Sequence, residues 1–204
     1  ERGKSVLEKV RVSGGGRCNV THACFDAREL VQYYPRGSRE LLGPFLQFGP
    51  AQTVEWFAQR GAALKTEADG RMFPVTDDSQ TITDCLQQTA RRAGVQVRTS
   101  ARVEKFTPLP SGEWQIWLTG ERAPLVFSKI MAATGSNAAV WETLRALGHS
   151  IVVPVPSLFT FNTKDTRLRE LAGVSVPDAA VHIPGTKLSA NGPLLVTHWG
   201  LSGP

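Results

Sequence analysis

Apolar residues recur at helical spacing in the first half of the chain, which predicts a series of amphipathic helices. The pattern is clearest after Asp77-Asp78-Ser79, whose side chains suit a helix cap, and it continues to Ala93 before Gly94. Another helix is predicted to open at Gly49-Pro50, because proline suits the first helical position, and to stop at Gly61. Further helices are predicted at 27–34, 38–47 and Ala138 to Leu147.

The middle of the chain changes to a two-residue period, which predicts short β-strands separated by turns. Two strands are predicted within 62–75, around the turn Ala68-Asp69-Gly70. Later strands are predicted at Val95 to Arg98, Ala101 to Phe106, Trp114 to Leu118, Leu125 to Ile130, the run Ile130 to Ala133, and Ile151 to Val153. Helices, a β-meander and a glycine turn in this order predict an α/β fold.

From Pro154 onward the chain is rich in proline, and the strands predicted at 158–162, 180–183 and 194–198 are short. This change predicts the start of a mostly β second domain, so the domains are placed at 1–154 and 155–204. The chain begins without methionine and stops directly after a predicted strand. We therefore expect it to be a piece of a longer protein.

Composition excludes several classes of protein. Of 204 residues, 41% are hydrophobic and 20% charged, which excludes a disordered charged tail. No apolar run approaches the roughly 18 residues of a membrane helix, so a soluble protein is expected. The three cysteines, Cys18, Cys24 and Cys85, indicate a reducing, cytoplasmic location. Their spacing fits neither a zinc ribbon nor a redox pair, so no metal site is expected.

The net charge of +5 and the isoelectric point near 9.4 permit nucleic acid or another anionic ligand. The basic residues are scattered, however, and the densest groups are Arg91-Arg92 and Arg36 to Arg39. Such scattering is typical of an ordinary solvated surface. A phosphate-bearing cofactor would suit the same balance, and a nucleic-acid-binding module stays as an alternative.

The strongest candidate for chemistry is the segment Ser13-Gly14-Gly15-Gly16-Arg17-Cys18-Asn19. Its glycines permit positive φ angles and the close approach of an anion or a polar ring, although a plain turn explains them equally well. It matches neither G-x-G-x-x-G nor a P-loop. Thr134-Gly135 follows an apolar run, the place where open α/β sheets bind ligands. His198 is a candidate proton donor, or a structural histidine in an apolar strand.

Four motifs follow one another along the chain. They are Ser13 to Asn19, Asp69 to Pro74 (D-G-R-M-F-P), Ala133 to Gly135 (A-T-G) and Thr197 to Pro204 (T-H-W-G-L-S-G-P). In these motifs the chain resembles, over essentially its whole length, the YhiN-like family of bacterial flavoproteins. That family includes proteins similar to aminoacetone oxidase and to 3-dehydro-bile acid reductase. The resemblance implies an FAD-binding domain of glutathione-reductase type with an inserted β-rich domain, here without the N-terminal G-x-G-x-x-G unit and the C-terminal part.

The resemblance also implies roles for particular residues. Glu1 stands where an acidic residue binds the adenosine ribose of FAD, and Ser13 to Asn19 would line its flavin side. Val103 lies in the strand whose backbone meets adenine, and Ala133, Thr134 and Gly135 would flank the dinucleotide. Arg71 is expected near the substrate and is, with His198, a candidate catalytic residue.

The function that the resemblance implies is that of an FAD-dependent oxidoreductase acting on a small organic substrate. NADH or NADPH is the expected electron donor, with oxygen as the other possible redox partner. Two alternatives stay open at this point. One is the basic nucleic-acid-binding module, and the other is an inactive fragment that keeps only the fold of its parent.

Overall fold

The computed structural model describes residues 1–155 and 160–203. The chain divides into two compact units, Glu1–Thr134 and Gly135–Pro204. The predicted domain division between residues 154 and 155 falls inside the second unit and stays a prediction. None of the helices in the described residues is both long and apolar enough to cross a membrane.

The helices of the first unit agree with their sequence signals. They are α1 (Glu8–Val12), α2 (Ala27–Leu30), α3 (Ser38–Gln47), α4 (Pro50–Ala58) and α5 (Ser79–Arg92), with 3-10 turns at Ser13–Gly16 and Val31–Tyr33. Asp26 caps α2 and Asp78 caps α5, each by accepting hydrogen bonds from backbone amides. The helices predicted at 27–34, at 38–47, from Pro50 and after Asp78 are confirmed, whereas α1 is an additional helix.

The strands of the first unit form two small antiparallel sheets. The sheet β1-β3-β2 contains β1 (Thr21–His22), β2 (Leu64–Thr66) and β3 (Arg71–Pro74), and the meander β4-β5-β6 contains β4 (Val103–Pro108), β5 (Trp114–Leu118) and β6 (Leu125–Phe127). Both the hairpin predicted within 62–75 and the meander are confirmed. The core cluster joins α4 and α5 through the buried side chains of Cys18, Phe57, Ala62, Ile82 and Cys85.

Three strand predictions are wrong. Val95 to Arg98, Ile130 to Ala133 and Ile151 to Val153 have irregular backbone. A strand is stable only in a ladder with a neighbouring strand, and these three runs join no ladder in the described residues. An apolar run alone therefore does not make a strand. The α/β prediction holds in the coarser sense of mixed helices and antiparallel sheets.

The second unit is rich in β structure. Its elements are α6 (Ala138–Ala146), a 3-10 turn at Thr166–Leu168, and the antiparallel sheet β7-β10-β9-β8 of β7 (Phe161–Asn162), β8 (Ser175–His182), β9 (Ser189–Val196) and β10 (Gly200–Ser202). Asn137 caps α6. The strands predicted at 180–183 and 194–198 lie partly within the longer β8 and β9. The strand predicted at 158–162 ends in β7, whereas its residues 158 and 159 lie outside the described residues, as does Pro204.

Candidate functional site

The three glycines after α1 form a turn that glycine adopts without strain. Gly14, Gly15 and Gly16 have φ angles of 56°, 68° and 86°. Side chains in this left-handed region cost about 1–2 kcal/mol per residue. The turn is closed by the amide of Cys18, which donates to the carbonyl of Ser13 at 2.9 Å. The expected positive φ angles of the glycines are thus confirmed.

The inner part of this glycine turn, Gly14, and its outer part, Gly15 and Gly16, differ in the space around their Cβ positions. A Cβ on Gly14 would lie 2.8 Å from the amide nitrogen of Asn19 and 2.8 Å from a ring carbon of Phe73. Nothing lies within 4 Å of the equivalent position on Gly15, and nothing lies closer than 4.0 Å on Gly16. The outer part therefore exposes bare backbone that a planar ligand can approach closely.

The hairpin of β2 and β3 presents an alternating row of side chains. Lys65 lies opposite Phe73 in the ladder, and the amide of Glu67 donates to the carbonyl of Arg71 at 2.8 Å. Because side chains on one face of a strand recur at every second residue, these four residues share a face. We call Lys65, Glu67, Arg71 and Phe73 the hairpin face.

Arg17 joins the glycine turn to the hairpin face. Its guanidinium carbon lies 4.0 Å from the centroid of the buried Phe73 ring. Its Nη1 donates to Oε1 of Glu67 at 2.5 Å and to Oδ1 of Asp77 at 3.4 Å, and the hydrogen bond to Glu67 raises the pKa of Arg17. Asp77 also pairs with Lys65, which is the main reason that the pKa of Asp77 is lowered.

Arg71 belongs to the same network. Its Nε donates to Oδ2 of Asp69 at 2.6 Å, and its Nη2 donates to Oε2 of Glu67 at 3.4 Å. The hydrogen bond from its backbone amide is the main cause of the lowered pKa of Asp69. Its guanidinium carbon lies 5.4 Å from the Phe73 centroid. The structure therefore brings Arg71 and Arg17 together through Glu67 and Phe73.

Cys18 faces the core. Its residue is 5% exposed and packs with Phe57, Ala62, Ile82 and Cys85. Burial raises the pKa of the Cys85 thiol in the same cluster. Cys18 is thus a packing thiol of this core cluster.

Glu1 and Val103 are the two predicted adenosine contacts. The backbone of Glu1 is hydrogen-bonded to the segment just before Val103. The nitrogen of Glu1 donates to the carbonyl of Arg98 at 2.9 Å, and the amide of Ala101 donates to the carbonyl of Glu1 at 2.9 Å. The carboxylate of Glu1 accepts from the amide of Gly3 at 2.6 Å, which is the main cause of its lowered pKa. Val103 begins β4 shortly after Ala101 and is 49% exposed.

Ala133, Thr134 and Gly135 form an exposed segment outside any strand. The expectation that a buried strand leads into this turn is wrong, since Met131 is 91% exposed. Gly135 has a φ angle of 63°, so the turn itself has the conformation that glycine favours.

Sequence reasoning missed the residues that hold the two arginines. Glu67, Phe73 and Lys65 were not predicted as part of the site, and Asp77 was predicted only as a helix cap. Asp78 provides that cap, and Asp77 instead binds Lys65 and Arg17. The alternation of charged and aromatic residues along β2 and β3 was the signal that could have identified the hairpin face.

His22, on β1, supports the turn between β2 and β3. Its Nε2 lies 3.0 Å from the carbonyl of Asp69, and a Cβ on Gly70 would meet Nε2 at 2.5 Å. Its buried Nδ1 has no hydrogen-bond partner in the part of the chain that the structure describes. His22 therefore packs against the backbone of the loop that carries Asp69.

His198 lies in the second unit, at the turn between β9 and β10. It lines an open cavity of about 540 Å³ with Asn162, Thr163, Lys164 and Trp199. Across residues 1–155 and 160–203, no group of three or more His, Cys, Asp or Glu side chains is arranged to hold a metal ion.

These geometries define a charged glycine turn on a domain of helices and antiparallel sheets, and comparison with known families agrees with the resemblance stated above. Residues 1–196 match the model of the HI0933-like protein Rossmann domain. The chain therefore belongs to the HI0933-like family, which confirms the resemblance to YhiN-like flavoproteins.

Three curated relatives are similar to the chain over its full length. A 3-dehydro-bile acid delta(4,6)-reductase of Clostridium scindens is 28% identical over 211 residues. Ribosomal RNA dihydrouridine synthases of Escherichia coli and Haemophilus influenzae are 26% and 22% identical over 213 and 222 residues. The chain covers 50%, 52% and 52% of these three proteins, so it spans about half the length of the relatives that it matches.

Proposed function

We propose that the chain is the flavin-facing part of an FAD-dependent oxidoreductase. The observation that carries this proposal is the glycine turn, whose Gly15 and Gly16 leave open space at their Cβ positions while Gly14 is packed against Phe73. A turn that is rigid on one side and bare on the other suits a flat, polar ring. Membership of the HI0933-like family supports the same assignment.

The residues present fit the flavin side of FAD. Gly15 and Gly16 provide an open backbone surface, and the exposed Asn19 adds a side-chain amide at the edge of this surface. Glu1 and the backbone near Val103 are the proposed contacts of the adenosine part. Bound flavin supplies two-electron transfer, while the protein supplies binding, orientation and electrostatics.

Arg17 is a positioning residue in this proposal. Its charge is already matched by Glu67 and Asp77, so it is poorly placed to neutralise further negative charge on a ligand. Its contact with Phe73 instead fixes the end of the glycine turn. The same argument applies to Arg71, which Asp69 and Glu67 hold on the hairpin.

The proposed reaction is the reduction of a carbon–carbon double bond in a ring, with NADH or NADPH as the electron donor. The names of the relatives support this class, since a delta(4,6)-reductase and a dihydrouridine synthase both saturate ring double bonds. A carbonyl group conjugated to such a bond would accept the negative charge that develops as the bond is reduced.

Binding of FAD to variants of the glycine turn tests the proposal. Gly15→Ala introduces a methyl group into the open space, and Gly37→Ala is a matched control. Gly37 has a φ angle of 83° and also has nothing within 4 Å of its Cβ position. Both variants therefore carry similar backbone strain, and they differ only in whether a flavin is nearby.

We expect Gly15→Ala to weaken FAD binding by about tenfold or more, a loss of about 1.4 kcal/mol. Gly37→Ala should bind FAD like the unaltered protein, as measured by flavin fluorescence titration. Equal affinities for the two variants would contradict the placement of flavin on the glycine turn. Absence of FAD binding by the unaltered protein would contradict the proposed cofactor.

A further inference from the structure

The open cavity of the second unit has a composition that the flavin site does not explain. It is lined by an amide, a hydroxyl, an ammonium group, an imidazole and an indole, those of Asn162, Thr163, Lys164, His198 and Trp199. Its volume of about 540 Å³ lies in the range of small-molecule sites. We call these five residues the Trp199 site.

The turn that carries His198 and Trp199 is held in place by hydrogen bonds. The amide of Thr197 donates to the carbonyl of Gly200 at 2.7 Å. Oγ1 of Thr197 accepts from the amides of Trp199 at 3.3 Å and Gly200 at 3.1 Å. The carbonyl of Trp199 accepts from the amide of Thr163 at 2.9 Å. These hydrogen bonds fix the backbone that carries the rings of His198 and Trp199.

Packing against the described residues does not explain an indole at this turn, because Trp199 is mostly exposed. Its residue is 71% exposed. Its one ring contact in the described residues is with the neighbouring His198, with centroids 6.5 Å apart and planes at 72°. A large aromatic ring that is exposed to solvent on a rigid turn is suited to stacking against a planar ring of a ligand.

Lys164 brings an uncompensated positive charge to the same cavity. The adjacent carboxylate of Asp165 is engaged by Arg167, with Nη2 to Oδ2 at 2.6 Å. No carboxylate pairs with Lys164 in the described ranges. The ammonium group is thus available to an anionic ligand, and the hydroxyl of Thr163 beside it adds a further polar contact.

We propose that the Trp199 site binds a nucleotide, with its base stacked on Trp199 and its phosphate paired with Lys164. A planar base and a phosphate together satisfy both unusual features of the cavity, whereas an inorganic anion or an uncharged ring satisfies only one. The amide of Asn162 and the imidazole of His198 can form hydrogen bonds with the edge of the base. The site requires no bound flavin, since all its residues belong to the second unit.

Two sources offer this chemistry. One is a nicotinamide dinucleotide, and the other is a nucleotide of single-stranded RNA. Calorimetric titration of the protein with NADPH, with UMP and with a short oligouridylate distinguishes them. Ribose 5-phosphate is the probe that carries the phosphate without a base.

Variants of the Trp199 site test the two contacts separately. Trp199→Ala should weaken binding of the preferred nucleotide about 5- to 150-fold, and Trp199→Phe should restore most of the loss. Lys164→Ala should weaken it by roughly tenfold at low salt and reduce the salt dependence. Lys187→Ala, an exposed lysine in the turn between β8 and β9, is the control and should bind like the unaltered protein.

Tight binding of NADPH alone would identify a dinucleotide site, and tight binding of oligouridylate would identify an RNA site. Failure of all three nucleotides to bind would overturn the proposal. Equal binding by the unaltered protein and Trp199→Ala, or binding of ribose 5-phosphate as tight as UMP, would also overturn it. Because the titration measures affinity without flavin turnover, its failure is distinguishable from failure of the proposed oxidoreductase activity.

Discussion

Arg17 lies over Phe73 although the two residues come from separate elements, the glycine turn after α1 and strand β3. The guanidinium carbon is 4.0 Å from the centroid of a ring that is fully buried. Glu67 also binds the Arg17 guanidinium, in an ion pair whose Nη1–Oε1 distance is 2.5 Å. This stacking fixes the position of the glycine turn, so the geometry of the proposed flavin contact depends on residues fifty positions away.

The packing of Gly14 gives the first prediction. Gly14→Ala should destabilise the protein by about 3 kcal/mol, because the methyl group would press on Asn19 and Phe73 in a backbone region that already disfavours side chains. Gly15→Ala should cost about 1 kcal/mol, since it adds the same strain without the contacts. Urea unfolding at neutral pH measures both values, and equal losses would contradict the packed position of Gly14.

Glu67 gives the second prediction. Glu67→Gln removes the carboxylate that both Arg17 and Arg71 bind, so the glycine turn should lose its fixed position. We expect FAD binding to weaken by roughly three- to tenfold, together with a shift of the flavin absorption maximum. Glu104→Gln, at an exposed position of β4, is the control. A Glu67 variant with the affinity and spectrum of this control would show that the network does not position the turn.

Asp165 gives a prediction for pH dependence. Hydrogen bonds from Arg167 lower the pKa of Asp165 to about 2, whereas an aspartate in an unfolded chain titrates near about 3.9. Because the folded pKa is the lower one, the stabilisation is present above the unfolded value and is lost as pH falls through about 2.

An NMR titration of the Asp165 carboxyl carbon should therefore show a midpoint near 2. In Arg167→Gln the midpoint should rise toward the unfolded value, which separates the effect of the guanidinium from that of the turn. A midpoint near about 4 in the unaltered protein would contradict the Asp165–Arg167 pair.

Gly200 gives the fourth prediction. It begins β10 with a φ angle of 151°, and a Cβ there would overlap the carbonyl oxygen of Phe161 on β7. Gly200→Ala should separate β7 from β10 and destabilise the second unit by about 3 kcal/mol or more. Gly185→Ala is the control, because its Cβ position is open. Limited proteolysis of the two variants compares them, and equal resistance would contradict the close strand pairing.

The helices could be predicted because their signals are local. Asp26, Asp78 and Asn137 each cap a helix within two or three residues of the amides that they bind. The hairpin of β2 and β3 was equally local, since its turn lies at Asp69-Gly70. Contact between neighbours along the sequence is what a residue pattern encodes most directly.

The strand predictions failed where a distant partner decides the outcome. The runs at Val95 to Arg98 and Ile130 to Ala133 have the apolar pattern of strands but join no ladder in the described residues. In the same way, the glycines of the turn were recognised from the sequence, but the contacts of Glu67 and Phe73 with Arg17 were not. Their importance comes from contacts with Arg17, and the sequence separation hides these contacts.

The proposed oxidoreductase function is tested by the absorption spectrum of the FAD-reconstituted protein, recorded anaerobically before and after addition of NADH or NADPH. We predict a bound-flavin spectrum that bleaches with one of the two donors and returns when an acceptor with a conjugated ring double bond is added. A protein that takes up no FAD under these conditions would contradict the assignment of an FAD-dependent oxidoreductase. Bound flavin that neither donor reduces would contradict the proposed electron donor.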